Sequence, residues 1–288
     1  LTALADTIEH TLGHLDLAFS TWRPDSEISR INAAEADREL ALSPDLQRVL
    51  EEARVVHELS DGALDVALLP LSTIWGFQGA AEPVIPSDDS VALALAYSGM
   101  KRLDFNADGT GLRKRDARQG LDVSALAKGY AVDRLGELLE EAGADNFLVE
   151  FGGEVLAVGE RPGGGPWRVV VESVGPDLPA LVLALSGEAV ATSGDYRNHI
   201  VIDGRRLGHV LDPATGRPSE AGVVAATVIA DTAQRADALA TAFLVMDEAA
   251  AFGLADTLGV GLRRVTREER GLVSRDNDAF RQRLRKEE

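Results

Sequence analysis

The stretch Leu121-Asp-Val-Ser-Ala-Leu-Ala-Lys-Gly-Tyr-Ala-Val-Asp133 sets the reading of the whole chain. Leu121 and Val123 alternate with Asp122 and Ser124 as at the end of a half-buried strand. Ala127, Ala131 and Leu135 then recur at helical spacing, so a strand is expected to hand over to a helix near Ser124. Such a junction leaves backbone N–H and carbonyl groups without partners, available to a phosphate or a metal ion. Lys128 adds a mobile positive charge. The same letters also describe a capped amphipathic helix with Asp122 in a solvated turn.

On either side, helices are expected over Leu4 to Ala18, from the Ser43-Pro44 cap to Ser60, through Val91 to Tyr97, and through Leu135 to Gly143. Strands are expected at Arg102–Phe105, Gly111–Lys114, Phe147–Phe151, Glu154–Gly159, Trp167–Glu172, Ala180–Leu185, Ala189–Ser193, His199–Ile202, Leu207–Leu211 and Val223–Ala230. The strands from Phe147 to Glu172 are expected to form a meander with tight glycine turns. No repeat or linker interrupts the pattern. The expectation is a single domain over residues 1–288, of α+β class, with helices inserted into a mainly antiparallel sheet. A two-lobed form with the site in its cleft is left open.

Charge and composition narrow the chemistry. The chain carries 29 basic and 47 acidic residues, a net charge of −18, which repels nucleic acid and anionic membrane surfaces. A polyphosphate substrate would need a metal ion or a few placed cations, which draws attention to Lys128, Arg197, Arg205, Arg206 and Arg217. There is no cysteine, so disulfides, thiolate catalysis and cysteine-held zinc are excluded. No apolar run reaches the ~18 residues of a membrane span. Leu1 is not an initiator, and the chain is expected to start inside a larger gene product.

Candidate site residues lie in several clusters. Trp22, beside Ser26, Ser29 and Asn32, either stacks on a ring or covers the core. Asp65, in the apolar run from Asp61 to Phe77, needs a partner. His209 precedes a turn at Asp212-Pro213 that Asp212 and Thr215 can order, and is the candidate base, with His199 the weaker one; an ordinary strand histidine is the alternative. Asp237 and Thr241, four apart in Ala236–Val245, share a helix face and suit a hard cation such as Mg²⁺; the alternative is a local cap and a hydroxyl bonded to its own helix.

Taken together, Phe19–Asn32, Asp61–Asp65 with Pro70-Leu71 and Trp75–Phe77, Leu121–Asp133, Ser193–Tyr196, His209–Pro218 and Ala236–Thr241 resemble, in order, the motifs of the FAD:protein FMN transferase (ApbE) family. The resemblance implies a flavin ring near Trp22, where the family usually has tyrosine. It implies FAD contacts at Ala63, Leu64, Asp65, Asp122, Lys128 and Val210. Mg²⁺ contacts fall on the carbonyls of Ala125 and Ala240 and on Asp237 and Thr241, with His209 as the base. The implied reaction splits FAD, attaches FMN to a threonine or serine hydroxyl of a target flavoprotein and releases AMP. An FAD pyrophosphatase yielding FMN and AMP, or a non-catalytic FAD-binding protein, are the alternatives. The family's opening strand, with its methionine-glycine-threonine motif, has no counterpart before Leu4; without it one side of the FAD pocket is expected open and a sheet edge unpaired. A membrane-face or envelope location goes with the family, and a cytoplasmic one with the absence of a cleaved signal.

Overall fold

The computed structural model describes residues 2–78, 84–175, 178–194, 199–202 and 205–285, with backbone alone for 199–202, 205 and 206. Arg197, the Asp195-Tyr196 half of one motif, and the Asp203-Gly204 turn lie outside the described residues, as do the side chains of His199, Arg205 and Arg206. The fold is α+β with mainly antiparallel sheets. Two compact units comprise residues 2–127 with 198–219, and 128–197 with 220–288.

In the first unit, the helices Thr2–Phe19, Glu27–Ala33 and Pro44–Leu59 come first. Ser26 and Ser43 stand in extended conformation ahead of the last two, and each hydroxyl accepts an amide of the first turn. Pro44 has no N–H to waste there. Leu46, Val49, Leu50, Ala53 and Val56 give Pro44–Leu59 one buried face. The strands Leu40–Ala41, Gly111–Lys114 and Leu103–Phe105 form an antiparallel sheet with Gly111–Lys114 in the middle. Lys114, 1% exposed, gives its ammonium to the carbonyls of Asn32, Ala117 and Gln119. The short helix Leu69–Ile74, not anticipated, carries Leu71 into a cluster with Trp75, Val91, Ala94 and Leu211. The Trp75 indole donates to Gly216 O at 2.9 Å. Gly216 has φ +69°, and a Cβ there would lie 2.9 Å from Leu71 Cδ2.

Two expectations need correction in this unit. Leu121–Val123 is not a strand. It is tied by single bonds: Leu121 exchanges two with the Asn32 amide, at 2.7 and 2.9 Å, and Asp122 N donates to Val66 O at 2.7 Å. The alternation reflects burial of Leu121 and Val123 without a ladder. The expected strand Leu207–Leu211 is divided between Arg205–Gly208, paired with His199–Ile202, and Leu211–Asp212, paired with Arg217–Pro218. His209 sits in the bend between them.

In the second unit, a six-stranded antiparallel sheet runs in the order Gly271–Asp276, Gly261–Glu268, Val223–Ala230, Glu188–Gly194, Glu154–Val158, Phe147–Phe151. Val223–Ala230 is buried along its whole length, which explains its unbroken apolar run. The expected meander stops after Phe147–Phe151 and Glu154–Val158. Trp167–Val171 leaves that sheet and pairs with Leu181–Leu185 as a separate hairpin, because its inward residues complete an apolar cluster with Val155, Val190, Ile229 and Phe280. The last two strands and the helix Glu248–Leu258 were not anticipated. Gly261–Glu268 buries Arg263 and Arg264, one on each face, so its buried positions do not look apolar. Among the described residues no helix is long and apolar enough to cross a membrane.

The helix Ala233–Val245 packs on Val223–Ala230 and Glu188–Gly194. Gly129, on the helix Ser124–Glu141, meets its first turn: a Cβ at 129 would lie 2.3 Å from Ala233 O and 2.7 Å from Gln234 Cα. Mid-helix alanine usually stabilises by about 0.5–1 kcal/mol over glycine. Gly129→Ala is expected to reverse that sign and destabilise by about 1–3 kcal/mol or more through overpacking. Urea unfolding monitored by circular dichroism measures it.

Candidate active site

In the second unit the chemistry gathers where two helices meet. Asp133 accepts the amides of Ala233 and Gln234 at 2.8 and 2.9 Å, holding the start of Ala233–Val245 against Ser124–Glu141. One turn further, Asp237 Oδ2 accepts the Gly129 amide at 3.1 Å. Lys128 Nζ donates to Glu154 Oε1 at 2.7 Å and stands 3.4 Å from both Asp237 oxygens. The two carboxylate side chains are 3% and 2% exposed, whereas that of Lys128 is 42% exposed. Burial pushes the Asp237 carboxyl up to about 7, against the pull of the Lys128 ammonium and the Gly129 amide. Burial also raises Glu154, with Lys128 opposing it. For Lys128, burial favours the neutral amine, but the two carboxylates outweigh it and the net shift is upward.

Thr241 lies one turn beyond Asp237, and its hydroxyl is 3.0 Å from that of Ser193. Thr241 is thus engaged by the neighbouring strand. Among the described residues no three histidines, aspartates or glutamates cluster as metal ligands. A metal ion here would rest on one carboxylate, a hydroxyl and backbone carbonyls, an all-oxygen set that suits Mg²⁺. The Asp237 carboxylate has lone pairs beyond the Gly129 amide and the long Lys128 contacts, so the residues fit such an ion. Ala240 is fully buried inside its helix and offers only its carbonyl.

The remaining candidates lie in the first unit. Trp22 follows Thr2–Phe19 and is 71% exposed, so it does not cover the core. Asp65 has found its partners: it accepts the amides of Ala67 and Met100 at 2.8 and 3.0 Å, with the His57 ring at 3.5 Å. His57 Nδ1 donates to Leu64 O, and Leu64 N donates to Ser60 Oγ, so the backbone of residues 63–65 is held from both sides. Burial raises Asp65, with those amides opposing. Asp122 accepts the Ser124 amide at 3.0 Å and the Gln78 side chain, which makes it a helix cap as well as a candidate contact. Ala125 is in the first turn of the same helix. His209 is exposed at its bend, and Val210 O accepts the Ser219 amide. Asp212 orders the following turn by accepting Ala214 N and Thr215 Oγ1.

Glu154 is the residue that reasoning from sequence missed. It opens a strand directly after Gly152-Gly153 and reads as an ordinary exposed strand end. Its burial depends on Lys128, 26 positions earlier. The only local signal is the glycine pair, which permits close approach.

Residues 2–263 match the model of the ApbE family. The FAD:protein FMN transferase of Vibrio cholerae serotype O1 is 34% identical over 280 residues, covering 96% of this chain and 83% of that protein. The protein of the same name from Escherichia coli K12 is 33% identical over 270 residues, covering 92% and 77%. The solved flavin transferase ApbE from Vibrio cholerae has a TM-score of 0.89 at 33% identity, covering 98% of this chain and 91% of that one. The apo flavinyl transferase ApbE of Pseudomonas stutzeri gives 0.89 at 36% identity, covering 98% and 88%.

Lys128→Met removes the cation shared by two buried carboxylates. The expected loss is about 1–3 kcal/mol, below the usual cost of breaking a buried pair because Lys128 is partly hydrated. Both acids already have folded pKa values raised above their unfolded ones, and the variant raises them further. Their penalty is absent below the unfolded values near pH 4 and grows as pH rises toward and past 7. Thermal unfolding between pH 4 and 8 should therefore show the deficit widening with pH.

Proposed function

We propose that this chain, which belongs to the ApbE family, transfers FMN from FAD to a threonine or serine hydroxyl of a target flavoprotein and releases AMP. The observation that carries this reading is the buried Asp237 carboxylate, bracketed by Lys128 and followed one turn later by Thr241. A chain of net charge −18 needs such a local device to accept a pyrophosphate.

Asp237, Thr241 and the carbonyls of Ala125 and Ala240 would hold Mg²⁺, which when bound offsets pyrophosphate charge and improves AMP as a leaving group. Lys128 supplies a partly hydrated ammonium toward the phosphates. Trp22 offers an exposed ring face to the isoalloxazine. Asp65 shapes the backbone of residues 63–65 for the cofactor, since its own oxygens are spent on Ala67 and Met100.

In the transfer, the acceptor oxygen bonds to the phosphorus of the FMN half as the bond to the bridging oxygen breaks. That oxygen leaves with AMP, and His209 takes the acceptor hydroxyl proton. An exposed histidine suits an acceptor that arrives on another macromolecule.

The test is incubation with FAD, Mg²⁺ and a flavoprotein carrying the acceptor. Expected are a covalent FMN adduct by mass spectrometry, one AMP per adduct, and loss of both on chelation of Mg²⁺. Equal FMN and AMP release without any acceptor would instead identify a pyrophosphatase, and FAD binding without AMP release a non-catalytic binder. His209→Ala should slow transfer by about 10²–10⁴-fold. An unchanged rate would remove His209 from the mechanism.

A further inference from the structure

We infer that Glu154 is a positioning residue whose buried carboxylate holds the Lys128 ammonium off Asp237 and so keeps Asp237 open to a divalent cation. This rests on the reading of Asp237 as a metal ligand and deepens it.

Lys128 and a metal ion compete for one carboxylate, because both are cations and Asp237 is buried, 1% exposed. Without a second anion the ammonium would settle on Asp237 as a close pair. The structure shows the opposite preference: Nζ is 2.7 Å from Glu154 and 3.4 Å from either Asp237 oxygen. Glu154 is placed for this by the strand it opens, paired with Phe151 across the Gly152-Gly153 turn. That turn also makes room for the lysine stem, since a Cβ at Gly152, where φ is +67°, would lie 3.1 Å from Lys128 Cδ and 3.4 Å from Glu154 Oε2.

A purely structural role does not account for Glu154. Among the described residues its second oxygen, Oε2, is buried without a hydrogen-bond partner. An acid kept there costs stability that a neutral residue of the same shape would avoid. The arrangement makes sense where the negative charge is needed to hold Lys128 in place.

The experiment is titration of the full chain with Mg²⁺ alone, without FAD, by isothermal calorimetry. Glu154→Gln is expected to raise the Mg²⁺ Kd about tenfold, and the same change in a Lys128→Met background to alter it less than about twofold, because the effect runs through the lysine. Glu154→Asp, which keeps the charge but withdraws it from Nζ, should weaken Mg²⁺ in the same direction. It also preserves the test should Glu154→Gln fail to fold by circular dichroism. Unchanged Mg²⁺ affinity in the foldable variants overturns the inference. So does an equal loss in both backgrounds, which would mean that Glu154 acts directly by its charge. Should Asp237→Ala bind Mg²⁺ like the unaltered chain, the metal reading itself falls and this inference with it.

Discussion

The hydrogen bond from the Gly129 amide to Asp237 is the constraint on which the second unit's chemistry depends. It can form only if two helix backbones approach within the space of a missing side chain, and any Cβ at 129 would overlap Ala233. Ala233, Ala236 and Ala240 keep the facing helix narrow, and Asp133 fixes where it begins. Once the helices are locked, Asp237 has little solvent to stabilise its charge, which is answered by the Gly129 amide and by Lys128. Close packing therefore creates the electrostatic problem that the site exploits.

The same logic separates scaffold from chemistry in the first unit. Asp65, a buried acid expected to need a partner, gives its oxygens to two backbone amides. Asp122 divides its oxygens between a helix cap and Gln78. Trp22 and His209 are exposed, each at a bend, where a ligand or another protein can reach them. The chain belongs to the ApbE family, and its negative net charge makes the placing of its cations matter more than their number.

Much of the fold was legible because it is local. Caps such as Ser43-Pro44 and the apolar run of Val223–Ala230 act within a few residues or report uniform burial, and both were read correctly. Leu121–Val123 misled because burial on one side produces alternation whether or not a ladder forms. Trp167–Val171 misled because sequential order suggested a neighbour, while the apolar cluster with Phe280 chose another. Gly261–Glu268 is not legible because buried arginines break its apolar pattern on both faces.

By itself the sequence determined the α+β class, capped helix starts such as Ser43-Pro44, the helical pair Asp237 and Thr241, and a motif order specific enough to point to one family. Those signals depend on residue type and short spacing. Only the tertiary structure decided that Glu154 is buried, that Lys128 leans toward it, that Asp65 is spent on backbone amides and that Trp22 is left exposed. Each of these is settled by a contact between residues far apart in the chain, or by the lack of one, and burial by distant neighbours is a quantity that local spacing does not contain.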